Sequence, residues 1–180
     1  MMPSIRKYKS FIGIDPGKSG GIAWIRGDGQ LLRCTKIPET EIDLWRWLSH
    51  CSSVSFAVVE KVRTRPGESA KGAFTFGQGY GSLRMALVAS GIPFDQVTPQ
   101  KWIKALGIPS RKPHDRTRMR SLTKGKNKGK MVEERYGGET DSQWKNRLKA
   151  QAQQLFPQET ITLVKADALL IAEYCRRTYR

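Results

Sequence analysis

No apolar run in this 180-residue chain approaches the ~20 residues that a membrane-spanning helix needs, which excludes such spans. No segment is a basic amphipathic helix of the kind that lies on a membrane surface. The opening MMPSIRKYKS lacks the apolar core of a secretory signal, so the chain is expected to be cytoplasmic, in a bacterium or a phage-infected cell, and not secreted. Cysteine is scarce. Cys34, Cys51 and Cys175 are scattered, form no CxxC and suggest no disulfide framework, which fits a reducing compartment. Internal repeats are absent. Acidic residues are few: 16 Asp and Glu stand against 32 Lys and Arg, a formal net charge of +16. Charge of that size points to a polyanionic partner, most often nucleic acid. Hydrophobic residues, at 38%, are few but sufficient, and the length fits one domain, 1–180, with a real core.

What is present is organised around FIGIDPGKSGGIAWI, from Phe11 to Ile25. Apolar residues run into Asp15, a Gly-rich turn follows, and a second apolar run begins at Ile22. The pattern predicts a β-hairpin with a carboxylate at the end of its first strand. A desolvated carboxylate there costs free energy unless a cation or hydrogen bonds compensate. The glycines allow the close approach that a metal or phosphate needs. The alternative is an ordinary hairpin whose Asp caps the turn.

The rest of the chain predicts an α/β order. Residues 1–9 are a basic tail; 10–15, 21–26 and 31–37 are strands. Thr40 N-caps a helix through His50, with Leu44, Trp47 and Leu48 on its inner face. Val54–Glu60 is a buried strand ending in a second acid. A basic loop over 61–71 precedes a helix from about Phe74 to Ser90. A strand over 92–97 and a helix opened by Thr98-Pro99 follow. Residues 110–139 are dense in Lys, Arg and Gly, which predicts a basic insertion or long loop, mobile in part. A helix over 141–156 presents Trp144, Leu148 and Leu155 inward, and a last helix spans about 165–177.

Asp15, Glu60 and Asp167 stand out by placement. Two end strands that can be neighbours after a helical crossover, and the third opens a largely apolar helix. Converging carboxylates repel one another unless cations bind. Oxygen-only ligands suit Mg²⁺ or Mn²⁺, and two such ions can activate water and stabilise a leaving oxygen in phosphodiester cleavage. Taken singly, each also fits a turn, a strand end or a helix N-terminus.

GIDPGKSGGIA, VVEKV and KADALLIAEY, in this order and spacing, resemble the RuvC-type Holliday junction resolvases of the ribonuclease H-like superfamily. GYGSLRMAL, TPQKWIKALGI and AQQLFP are similar to phage and organellar members. The resemblance implies a five-stranded mixed sheet of order 3-2-1-4-5 flanked by helices, with the basic insertion before the last two helices. It implies a homodimer that cuts opposed strands of a four-way DNA junction with two Mg²⁺ ions per active site, Mn²⁺ being possible. Asp15, Glu60 and Asp167 match the family's metal-binding carboxylates, and Lys165 is placed to touch the scissile phosphate. One departure stands out: three residues before Asp167, where the family usually carries another acid, the chain has Val164. Asp141 and Glu159 are the candidates to replace it.

Basic residues suited to the DNA backbone are Lys18, Lys61, Arg63, Arg65, Lys71, Lys101, Lys104, Arg111, Lys112, Lys124, Lys126, Lys128 and Lys130. Phe74, Phe76 and Tyr80 interleave with them, and the resemblance implies that an aromatic here enters the junction; core packing is the alternative. The helix over 77–90 is expected at the dimer interface, since a C2 dimer matches the two-fold junction. Three other readings compete. A sugar-kinase or actin-like ATPase half lacks room for its second half and a second phosphate loop. A non-catalytic nucleic-acid-binding protein, or a ribonuclease H-like nuclease of other specificity, fits the same residues.

Overall fold

The structure is a computed structural model that describes residues 9–17, 19–51, 53–63, 67, 69–124 and 126–180. Strands β1 (Ser10–Asp15), β2 (Gly21–Arg26), β3 (Leu31–Lys36), β4 (Val54–Glu60) and β5 (Phe94–Val97) form one sheet of order β3-β2-β1-β4-β5. β1 pairs antiparallel with β2 and parallel with β4. This is the expected mixed α/β sheet. α1 (Glu41–Ser49) links β3 to β4, and α2 (Ala70–Ala89) links β4 to β5. α3 (Pro99–Ala105), a hairpin of β6 (Arg116–Ser121) and β7 (Met131–Tyr136), α4 (Asp141–Leu155) and α5 (Leu163–Tyr179) complete the chain.

The period of two along each strand divides the core. Ile12, Ile14, Ile22, Ala57 and Val59 face α1 and α2. Phe11, Ala23, Ile25 and Val58 face α3, α4 and α5. β1 is therefore covered on both sides, which explains why its apolar run is nearly continuous. α5 is buried from Ala166 to Cys175, because it lies on the sheet and under α4 at once. Gly13 makes that packing possible: a Cβ there would sit 2.0 Å from the Ala172 backbone nitrogen and 2.4 Å from the Ala168 carbonyl oxygen. The one polar side chain deep in α5 beyond Asp167 is Glu173, 4% exposed, which accepts hydrogen bonds from Arg176 and Arg177 at 2.6–2.7 Å. The three cysteines are free, and burial pushes the Cys34 and Cys51 thiols up to about 12.

Several boundaries differ from expectation. α2 begins a turn earlier, at Ala70, where the Ser69 hydroxyl accepts from the Gly72 N–H at 3.1 Å. Glycines at 72, 77, 79 and 81 hide that start from a propensity reading, each costing ~1 kcal/mol against Ala. β5 is shorter than its apolar run, and α5 is longer at both ends. Leu155 is 39% exposed, with Ala152 and Phe156 buried instead, since Phe156 leaves helical geometry (φ −127°, ψ 67°) and swings inward. The carbonyl of Lys9, a residue assigned to the tail, accepts from the Gly27 N–H at 2.7 Å; residues 1–8 lie outside the described residues.

The largest correction concerns 110–139. It is not loop throughout: β6 and β7 pair antiparallel from Arg116↔Tyr136 to Ser121↔Met131. Cross-strand chemistry rather than a core holds this hairpin. Arg118 donates to Glu134 at 2.8 Å and lies over the Tyr136 ring at 5.0 Å. Among the described residues no helix is long and apolar enough to cross a membrane.

Candidate active site

Strand parity brings the first two acids together. Asp15 shares the face of Phe11 and Gly13, and Glu60 shares the face of Val58, so both look toward α5. The parallel register pairs Gly13 with Val58 and Ile14 with Val59, which leaves Asp15 and Glu60 at the same C-terminal edge. α5 runs back along β1 with its first turn at this edge. There the Val164 carbonyl oxygen would lie 2.7 Å from a Cβ on Gly21. Asp167, one turn in, is 5% exposed.

The electrostatics record the convergence. Burial, then the charges of Asp167 and Glu60, push the Asp15 carboxyl from 3.8 up to about 7, while Lys145 pulls the other way. Glu60 accepts a hydrogen bond from the Trp102 indole N–H at 2.9 Å. Asp167 Oδ2 is paired with the Lys145 ammonium, and its buried Oδ1 has no hydrogen-bond partner among the described residues. Burial works against the Lys145 charge, but Asp167, Asp15 and Glu60 outweigh it and hold the ammonium above its usual range.

The lysine at the carboxylates is thus Lys145 of α4, not Lys165. Two residues along a helix turn through ~200°, so Lys165 and Asp167 leave α5 on nearly opposite sides. The Lys165 charge acts instead on Cys34 of β3. Neither proposed fourth acid adjoins Asp15: Asp141 is paired with Arg111 at 2.7 Å, and Glu159 lies toward Cys34. Sequence reasoning misses both Lys145 and Trp102. A buried Trp signals a need for a hydrogen-bond acceptor. Nothing separates Lys145 from the other Lys and Arg residues of the chain.

The donor set can be tested for a metal. Among the described residues no three His, Cys, Asp or Glu side chains form a ready cage; Lys145 bonds one oxygen of Asp167, and Trp102 one of Glu60. The residues nonetheless fit a hard cation. The donors are oxygens, one buried carboxylate oxygen finds no partner among the described residues, and burial with two neighbouring carboxylates holds Asp15 up.

Around this edge the surface is basic. Lys61 follows Glu60, extending the sheet by donating its N–H to the Val97 carbonyl at 2.7 Å, and its side chain is exposed, as is Arg63. Lys71 lines a cleft of about 940 Å³ with Pro16, Gly17, Lys36, Phe76 and Tyr80. Phe76 and Tyr80 stack with centroids 6.2 Å apart, and the Tyr80 hydroxyl donates to Gln96 at 3.0 Å. Phe74 is 68% exposed, so of the three aromatics it is the one least used for packing. Lys101 and Lys104 are exposed on α3. Arg111 is engaged at the start of α4, and Lys112, Lys124, Lys126, Lys128 and Lys130 are exposed. Lys18 and Arg65 lie outside the described residues.

No protein-family model matches the chain, and no curated protein matches it. Solved structures do. The RuvC of Thermus thermophilus in complex with a Holliday junction substrate is similar at a TM-score of 0.53 and 15% identity, over 92% of this chain and 91% of that one. Another Thermus thermophilus RuvC structure matches at 0.53 and 18% identity, over 92% of each chain. At such identity the likeness is one of fold: the five-stranded mixed sheet and its flanking helices are those of RuvC.

Proposed function

We propose that this chain is a metal-dependent endodeoxyribonuclease that resolves four-way or other branched DNA junctions as a homodimer, in the phage and organellar branch of the RuvC-type resolvases. The observation that carries the reading is the convergence of Asp15, Glu60 and Asp167 from three elements, with Asp15 held up first by burial and then by the charges of the other two. The chain's net charge of +16 supplies the attraction for DNA.

Asp15, Glu60 and Asp167 would hold Mg²⁺ or Mn²⁺, which when bound lowers the pKa of its water and stabilises the leaving oxygen. Trp102 donates to one oxygen of Glu60 and so helps fix the orientation of that carboxylate. Lys145 offsets one negative charge and is placed to donate to a phosphate oxygen once Asp167 turns to the cation. Val164 leaves the site a carboxylate short of the family pattern, and Lys145 lowers its negative charge further. That pairing is also what favours a second reading, a junction-binding protein without catalysis.

α2 supports the dimer. Phe74, Met85 and Val88 are 68%, 61% and 59% exposed, and a Cβ at Gly77 or Gly81 would meet nothing within 4 Å. Recurring at three- and four-residue steps, these positions make one apolar, closely approachable stripe suited to its own copy.

The test compares a labelled four-way junction, a linear duplex and an RNA–DNA hybrid, with Mg²⁺ and without. Paired cuts confined to the junction are expected. Preferential cutting of the hybrid would make the chain a nuclease of other specificity. Tight junction binding with no cutting in Mg²⁺ or Mn²⁺ would leave the non-catalytic reading.

A further inference from the structure

The β6–β7 hairpin is used by neither the core nor the carboxylate site. Every residue of β6 is exposed, and in β7 only Val132 and Glu134 are half-buried. From Arg116 to Tyr136 it carries eight Lys and Arg against two Glu. The register sorts its side chains. Arg116, Arg118 and Arg120 lie on one face with Val132, Glu134 and Tyr136; Thr117, Met119 and Ser121 lie on the other with Met131, Glu133 and Arg135.

The arginine face is organised rather than merely charged. Glu134 sits between two guanidinium groups, 2.8 Å from Arg118 Nε and 3.4 Å from Arg120 Nε, while Tyr136 stacks under Arg118. A guanidinium held at one edge by a carboxylate keeps its remaining N–H groups aimed outward in a fixed fork. The hairpin's root is also fixed. Arg147 of α4 donates to both oxygens of Glu139 at 2.7–2.9 Å and to the Pro109 and Ser110 carbonyls, while lying over Trp144 at 4.5 Å. The ribbon thus projects from the same helix that sets Lys145 against Asp167.

We propose that the β6–β7 ribbon enters the major groove of a duplex DNA arm, arginine face inward, with the lysines of its turn on the flanking phosphates. Two strands ~4.8 Å apart with their side chains match a groove ~12 Å wide and overfill one of ~6 Å. Alternate residues recur every ~6.8 Å, two base steps of ~3.4 Å, so successive arginines meet successive pairs of bases. The proposal deepens the junction-nuclease reading by naming how an arm is held, but it requires only duplex DNA.

The test uses full-length protein carrying Asp15→Asn, so that binding is read without cleavage, on a plain 30-bp duplex and a four-way junction with duplex arms. Methylation of guanine N7, which blocks the major groove alone, is expected to interfere with binding to both at a short run of positions. Arg116→Ala/Arg118→Ala/Arg120→Ala should erase that run and weaken binding by about 10- to 100-fold. The Arg→Lys triple preserves charge but not the fork, and should keep most of the affinity with the interference weakened rather than lost. Replacing 116–136 by a short Gly-Ser link, which leaves the core packing untouched, should reproduce the alanine result with the helical circular dichroism signal retained. Interference that survives the alanine triple, or is never seen, overturns groove insertion. Loss of junction cleavage by the unmutated chain with interference intact would sink the nuclease reading and leave this one standing.

Discussion

A carboxyl group that burial and two neighbouring acids hold up at about 7 keeps its proton well past the pH at which an unfolded aspartate loses it. Between 3.8 and about 7 the folded chain therefore binds more protons than the unfolded one, and metal-free stability falls as pH rises through that window. Asp15→Asn should remove this slope, so that in chelator the variant is the more stable form above the window; denaturant titrations across it would read the crossing. The same substitution should abolish junction cleavage and spare binding, because it deletes a ligand and no basic residue. Wild-type cutting by Asp15→Asn would sink the site. Gly13 offers a structural test. Its missing Cβ is where the Ala172 nitrogen and the Ala168 carbonyl lie, and helix backbone cannot yield as a flexible side chain can. Gly13→Ala should cost at least the ~1–3 kcal/mol typical of overpacking, read as a thermal midpoint lower by roughly 2–4 °C per kcal/mol.

At the scale of elements, α2 and the β6–β7 turn make separable predictions. If the stripe through Phe74, Gly77, Gly81, Met85 and Val88 joins two copies, Met85→Glu/Val88→Glu places four buried charges across the two-fold axis. Sedimentation should then report a monomer, while the monomer's helix content stays unchanged, since both side chains face outward in the single chain. A dimer that persists would move the interface elsewhere. The turn lysines Lys124, Lys126, Lys128 and Lys130 should act through phosphates. Neutralising all four should weaken binding and reduce its salt slope by about 0.9 for each phosphate that is no longer neutralised. An unchanged slope would show that they do not meet the DNA backbone.

The whole molecule puts a surplus of positive charge around a small negative site, and the two should be linked through stability. A cation that binds the folded carboxylates and not the unfolded chain stabilises by about 2.7 kcal/mol at a hundred times its dissociation constant. Mg²⁺ or Mn²⁺ should accordingly raise the midpoint of the wild-type chain by roughly 5–10 °C, and that of Asp15→Asn much less. Differential scanning calorimetry with and without chelator would show it. Equal shifts in both proteins would mean that the metal binds somewhere other than Asp15.

The residues of the sheet and the ends of its strands were legible in the sequence because they follow from local rules. Alternation and continuous apolar runs mark β1, β2 and β4, the Thr-Pro and Thr-Glu pairs mark helix starts, and an acid ending a buried run marks Asp15 and Glu60. The β6–β7 hairpin was not legible, because what holds it is pairing of Arg118 and Arg120 with Glu134 across the turn, and such pairs carry no periodic signal. Nor was the lysine of the site. Local spacing nominates Lys165, two residues from Asp167, but a helix sends those two side chains apart. Only the packing of α4 on α5 decides that Lys145, twenty-two residues upstream, is the cation that meets the carboxylate. Sequence determines which residues are buried and which end a strand, since those depend on neighbours along the chain. Which charges share a site depends on neighbours in space, and that the tertiary structure alone decides.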